Sequence, residues 1–171
     1  CDYIITESTY GNRLHESQED VKKALLDVVY NTCVEKRGKL IIPSFAVGRT
    51  QDILYVLNEL YNEGLLPHIK VFVDSPLAIN TTGVFLENTE YLNDNIKRTM
   101  LYDDDPFSFN QVSYVRDVNK SKAINKYRKP CIIISASGML EAGRVKHHVA
   151  NNIMKPKNTI LIVGYCAPTT L

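Results

Sequence analysis

The sequence predicts an α/β fold, a mostly parallel open sheet with helices on both faces. Short apolar runs alternate with segments of helical periodicity, the pattern of βαβ units joined by right-handed crossovers. Runs such as Ile-Ile-Ile at 132–134 are apolar at every position and bounded by small residues, as in strands buried on both faces. Several of these runs end in Ser/Gly/Pro punctuation, the chemistry of turns delivered to a sheet edge.

In chain order, residues 3–6 read as a strand. Val21, Leu25, Val28, Val29 and Cys33 recur at helical spacing behind Ser17 as a cap. A second strand at 39–42 is stopped by Pro43. A helix follows from about Arg49, with Ile53, Val56, Leu57 and Leu60 on one stripe and Gly64 as its stop. Residues 69–73 form the third strand. Beyond Asp74-Ser75-Pro76, residues 78–87 and 91–100 read as short helices broken near Asn88. Asp103-Asp104-Asp105-Pro106 is taken as a solvated acidic turn rather than a metal site, because its adjacent carboxylates repel and no histidine accompanies them. A strand at 111–115, a polar-faced helix at 119–128, strands at 131–135 and 159–163, and a helix from Gly143 to about Asn151 complete the pattern. No internal repeat is visible.

At 171 residues the chain is long enough to bury roughly 70% of the surface its unfolded form exposes. With 44% hydrophobic and 23% charged residues it is expected to be globular and soluble rather than disordered. Its 20 basic and 19 acidic residues leave a net charge of +1, so any site for a polyanion must be local. Cys1, Cys33, Cys131 and Cys166 are widely spaced with no C-x-x-C pair; they read as small buried thiols, and a reducing cytoplasm is the expected location. Nothing marks secretion or membrane insertion. A first residue other than Met, and a last segment ending just after a strand, make the sequence look like an excerpt of a longer chain.

The strand-end loops are 7–11, 43–49, 74–76, 135–138 and 164–165. In a parallel sheet they gather at the carboxyl edge, where ligands of open α/β folds bind. Their hydroxyls and glycines let backbone N–H groups approach an anion, and helix starts near Gly48 and Gly143 add partial positive charge. Arg49 and Arg144 open those helices, where a cation opposes the dipole; either an anionic ligand or a neighbouring carboxylate would account for them. His147 and His148 are adjacent and point roughly 100° apart on a helix, while His15 and His68 are isolated, so no zinc-ligand spacing appears. Each of the paired histidines reads as a phosphate donor or a helix-to-sheet hydrogen bond. Walker, dinucleotide and nucleophile-elbow motifs are missing.

Five ordered motifs, TESTYGNR, IPSFAVGRTQDIL, VFVDSPLA, ISASGMLEAGRVKHH and GYCAPTTL, cover nearly the whole chain. They resemble the β-CASP branch of the metallo-β-lactamase superfamily. That branch includes the nuclease subunit of the pre-mRNA cleavage and polyadenylation machinery, ribonuclease J-type enzymes and prokaryotic RNA metallo-hydrolases. The resemblance implies a Rossmann-like cap inserted into a lactamase fold, with two zinc ions in the cleft between them. Residues 1–7 would be the end strand of the lactamase domain and 8–171 the β-CASP domain. The zinc-binding H-x-H-x-D-H signature would precede Cys1 and later histidine motifs would follow Leu171, so this excerpt is expected to hold no zinc and to be inert alone.

By the same resemblance, Glu7 is the acid that orients a histidine near the metals; otherwise it is an ordinary turn-capping carboxylate. Ser44, Arg49, Ser75, Ser137, Gly138, Arg144 and His147 or His148 would line the wall that meets RNA phosphates. Tyr10, Phe45 and Tyr165 are candidates to stack on bases, with core packing the favoured role for Phe45. Glu141-Ala142 departs from the smaller or glycine-rich residues of many relatives. Expected partners are single-stranded RNA and the lactamase half of the same parent, with no membrane and a homodimer left open. The alternatives are a phosphate- or nucleotide-binding module, or an interaction domain of a non-catalytic relative.

Overall fold

The computed structural model describes residues 1–12, 14, 17–167 and 170. His15 lies outside the described residues, as do Arg13 of the first motif and Pro168, Thr169 and Leu171 of the last. The elements are α1 (Gln18–Val29), continued by a π-helical stretch (Tyr30–Glu35), β1 (Lys39–Pro43), α2 (Arg49–Asn62), β2 (Lys70–Val73), α3 (Pro76–Glu87), a 3₁₀ turn (Thr89–Tyr91), α4 (Asp94–Thr99), β3 (Val112–Tyr114), α5 (Val118–Lys126), β4 (Cys131–Ser135), α6 (Val145–Asn152) and β5 (Thr159–Ile160).

The five strands form one all-parallel sheet in the order β3-β2-β4-β1-β5. β1 and β4 are buried at every position, which is why their sequences show no polar alternation. Successive side chains nonetheless part to opposite faces. Leu40, Ile42, Val71, Val73, Ile132 and Ile134 pack with α1, α2 and α3, while Ile41, Cys131 and Ile133 pack with α5 and α6. The edge strands β3 and β5 are short, which limits the unpaired edge open to other chains.

Local chemistry sets the ends. The Ser17 hydroxyl accepts from Asp20 N at the start of α1, Ser75 does the same for α3 through Ala78 N with Pro76 behind it, and Asp117 caps α5 through Lys120 N. Gly64, at φ +70°, follows α2 in the left-handed region expected of a helix stop. Asp103 lies in a turn and accepts from Asn58 and Asn62 on α2. The thiols of Cys33 and Cys131 are buried, and desolvation pushes them up to about 11 and about 12, keeping them protonated and inert. Cys1, by contrast, is exposed.

Three expectations are corrected. Residues 3–6 form no strand: Tyr3, Ile4 and Ile5 are 81–100% exposed, and none of the described strands pairs with them. β5 stops at Ile160, although Leu161 N still donates to Ile41 O at 2.9 Å. Phe45 is not in the core but 45% exposed, lying over Gly138, where an added Cβ would stand 2.9 Å from its ring. Among the described residues no helix is long and apolar enough to cross a membrane.

Candidate functional site

Because every strand runs the same way, the loops after β1, β2, β3 and β4 meet at one edge. They are tied there by backbone contacts: Ser44 N donates to Ser135 O at 3.0 Å and Asp74 N to Ile134 O at 2.8 Å, while the Ser135 hydroxyl donates to Asp74 O at 2.8 Å. The loop after β4 folds back on itself, with Ser137 N donating to Ala142 O and Val145 N to Ala136 O, both at 3.1 Å. Gly143 makes this fold possible. Its φ is +74°, and a Cβ would sit 2.3 Å from Ala136 O.

At the centre is Asp74, fully buried at the end of β2. Arg144 Nη1 donates to Asp74 Oδ1 at 2.7 Å, and the same guanidinium donates to Val115 O at 3.0 Å and Arg116 O at 2.6 Å. Asp74 Oδ2 accepts from the Ser121 hydroxyl at 2.5 Å and faces His148 Nε2 at 2.6 Å. On the other side of the ring, His148 Nδ1 lies 2.9 Å from Asn125 Oδ1. A relay of amides sets that orientation, since Asn158 donates to Asn152 Oδ1 and Asn152 donates to Asn125 Oδ1. One ring nitrogen thus faces a carboxylate oxygen and the other an amide oxygen, which fixes the ring between β2 and α5. Burial pushes the Asp74 carboxyl upward, but hydrogen bonds from His148, Ser121 and Arg144 outweigh it and hold the group below its ordinary value.

The expected site residues thus divide into buried and exposed sets. Ser44 is buried and accepts from the Thr50 hydroxyl at 3.1 Å, Ser75 is the α3 cap, and His148 is wholly enclosed. These three do not reach a surface phosphate; the helix-to-sheet alternative describes His148. Arg144 is compensated by Asp74 rather than by an outside anion. Its guanidinium clamps the ends of β2 and β3 to the start of α6. Arg49 and His147 are exposed, Ser137 is half-buried, and Gly138 lies under Phe45. Among the described residues Arg49 pairs only with Asp52, 3.5 Å away and itself well exposed, an ion pair worth little in water. Glu7 is exposed and accepts from Thr9 N at 2.9 Å, a bond that lowers its pKa. Tyr10 and Tyr165 meet edge to face, with ring centroids 6.4 Å apart.

Asp74, Ser121 and Asn125 were not singled out as site residues from the sequence. The available signal was an acid closing an otherwise apolar strand, VFVD, where an unpaired charge would be costly. Among the described residues no three His, Cys, Asp or Glu side chains converge as a metal site. Asp74 and His148 are committed to each other.

The chain is 33% identical over 166 residues to Ribonuclease TTHA0252 of Thermus thermophilus, covering 96% of this chain and 38% of that protein. It is 32% identical over 171 residues to Cleavage and polyadenylation specificity factor 73 of Drosophila melanogaster, covering 99% and 24% respectively. It is also 34% identical over 172 residues to an RNase J-like protein of Methanocaldococcus jannaschii, covering 99% and 38%. The chain therefore spans between about a quarter and two fifths of the length of these relatives. The Beta-Casp domain matches residues 50–171, and with the parallel sheet and its loop edge in place, this chain belongs to the Beta-Casp domain family.

Proposed function

We propose that this chain is the RNA-holding part of a zinc-dependent RNA-cleaving hydrolase, with the metal and the cutting step residing in a lactamase half of the same protein. The observation that supports the reading most is that the exposed Arg49 and His147 and the half-buried Ser137 lie at the starts of helices and in a loop that leave one sheet edge. Relatives named as ribonucleases align along almost the whole chain. In this reading Arg49 and His147 donate to phosphate oxygens, and the half-buried Ser137 presents its loop to the strand. Asp74, Arg144 and His148 do not touch RNA; they hold the loop that does. Tyr10, Tyr165 and the exposed face of Phe45 offer rings for bases. Glu7 stands at the junction with the lactamase half, and the buried thiols suit a reducing cytoplasm.

Phosphate contacts of this kind release counterions, so binding weakens with salt. Fluorescence anisotropy with a labelled oligouridylate across a salt series is the test. Arg49→Ala is expected to flatten the slope of log affinity against log salt by about 0.7, the value for one phosphate contact on a single strand, and His147→Ala to weaken binding in the same direction. Unchanged affinity and slope in both variants would remove this edge from RNA binding.

A further inference from the structure

The opposite edge of the sheet carries its own pattern. Three basic runs, Arg37-Gly38-Lys39, Lys126-Tyr127-Arg128-Lys129 and Lys155-Pro156-Lys157, stand at the starts of β1, β4 and β5. Those strands are neighbours in the order β4-β1-β5, so parallel pairing brings all three runs to one place at the amino edge. They surround a cavity of about 530 Å³ that has no acidic residue in its lining. This lies within the size range of small-ligand sites.

The geometry is built around the runs. Gly38 is packed so closely on the 155–158 turn that an added Cβ would stand 1.7 Å from Lys157 O, and Lys39 N donates to Asn158 Oδ1 at 2.9 Å. Lys39 turns inward, its ammonium donating to Ile124 O and Asn125 O at the end of α5 at 2.8 and 3.2 Å. Burial, and then the charges of Lys155 and Lys157, push that ammonium down, a sign of the positive field in the cavity. Arg37, Lys126, Arg128, Lys129, Lys155 and Lys157 are exposed, and no ion pair among the described residues includes them. Arg37 also holds a left-handed φ of 52°, a place that ordinarily favours glycine and strains a side-chain residue by about 1 kcal/mol or more. Six uncompensated cations around one cavity repel each other, and an anion with several charges relieves that repulsion.

We infer that the cavity at the amino edge is a second phosphate-binding site, distinct from the carboxyl edge, that takes closely spaced phosphates from an RNA strand or from a free polyphosphate. The RNA source deepens the reading given above; the free polyphosphate source stands without it.

The test uses the full chain with two probes, labelled oligouridylate and inorganic tripolyphosphate. Lys155→Gln combined with Lys157→Gln changes only exposed side chains. If RNA is the ligand, this variant flattens the salt slope for RNA by about 1.4, the sum for two contacts, and tripolyphosphate competes with RNA for the wild-type chain. If the ligand is a free polyphosphate, calorimetry detects saturable tripolyphosphate binding that the variant loses while its RNA slope stays unchanged. Arg37→Gly relieves the backbone and is expected to lower binding of the same probe with no fall in Tm. Wild-type behaviour of these variants toward both probes overturns the inference. An effect of Arg49→Ala alone overturns this site and leaves the carboxyl edge standing; an effect of the lysine pair alone does the reverse.

Discussion

Replacing Asp74 with Asn is expected to destabilise the fold by about 3–5 kcal/mol, the usual effect of removing one partner from a buried ion pair. For a chain of this length that corresponds to a fall in Tm of roughly 6–20 °C. The carboxylate is fully buried and faces Arg144, His148 and Ser121 together. An amide leaves the guanidinium without its counter-charge, and its single oxygen cannot serve both the Arg144 side and the His148 and Ser121 side. Differential scanning calorimetry with a urea titration provides the measurement. The pH dependence carries a separate signature. Because the folded pKa of Asp74 lies below its unfolded value, its contribution is complete above the ordinary carboxylate range of about pH 4 and is lost as pH falls through the lowered folded value. Asp74→Asn is therefore expected to flatten the acid limb of stability against pH. A loss under about 1 kcal/mol, with an unchanged acid limb, would mean that the cluster does not hold the sheet edge together.

Gly143→Ala is expected to lose about 2–5 kcal/mol, from the left-handed backbone together with overpacking. The added methyl group would meet Ala136 O at 2.3 Å and Ser137 N at 3.0 Å, both backbone atoms of the same folded loop. Gly48→Ala supplies the comparison. Its φ is +79°, yet nothing lies within 4 Å of the added carbon, so it carries the conformational part alone, about 1–2 kcal/mol. The difference between the two variants measures the close approach on which the position of Arg144 depends. Equal losses in urea unfolding would show that the loop opens easily.

Much of the architecture was legible because strand and helix periods are local. The runs at 39–42 and 131–135 and the stripe of Ile53, Leu57 and Leu60 declared their elements and their burial. The apolar run near the start misled for a physical reason: residues 3–6 have strand chemistry, but a strand exists only beside a neighbour. The carboxyl edge was legible as a place, and its exposed members Arg49 and His147 were named from it. Which of its other members turn inward was not. A serine closing a strand can point out or in, and Ser44 and Ser75 point in. For Arg144 and His148 the pattern left an outside anion or an internal partner open; both face Asp74, 70 and 74 positions away, a distance no local pattern spans.

The three basic runs show the same division. Each is a few Lys and Arg residues ahead of an apolar stretch, unremarkable by itself in a chain of net charge +1. Their concentration around one cavity follows from the strand order, which places β1 between β4 and β5. Composition, periodicity and turn chemistry sufficed for the α/β class and the direction of the loops, and five ordered motifs carried the family resemblance, because these depend on neighbours along the chain. Which charges are buried together and which are left facing water was decided by tertiary structure, because electrostatic partners are chosen by distance in space and by the dielectric around them.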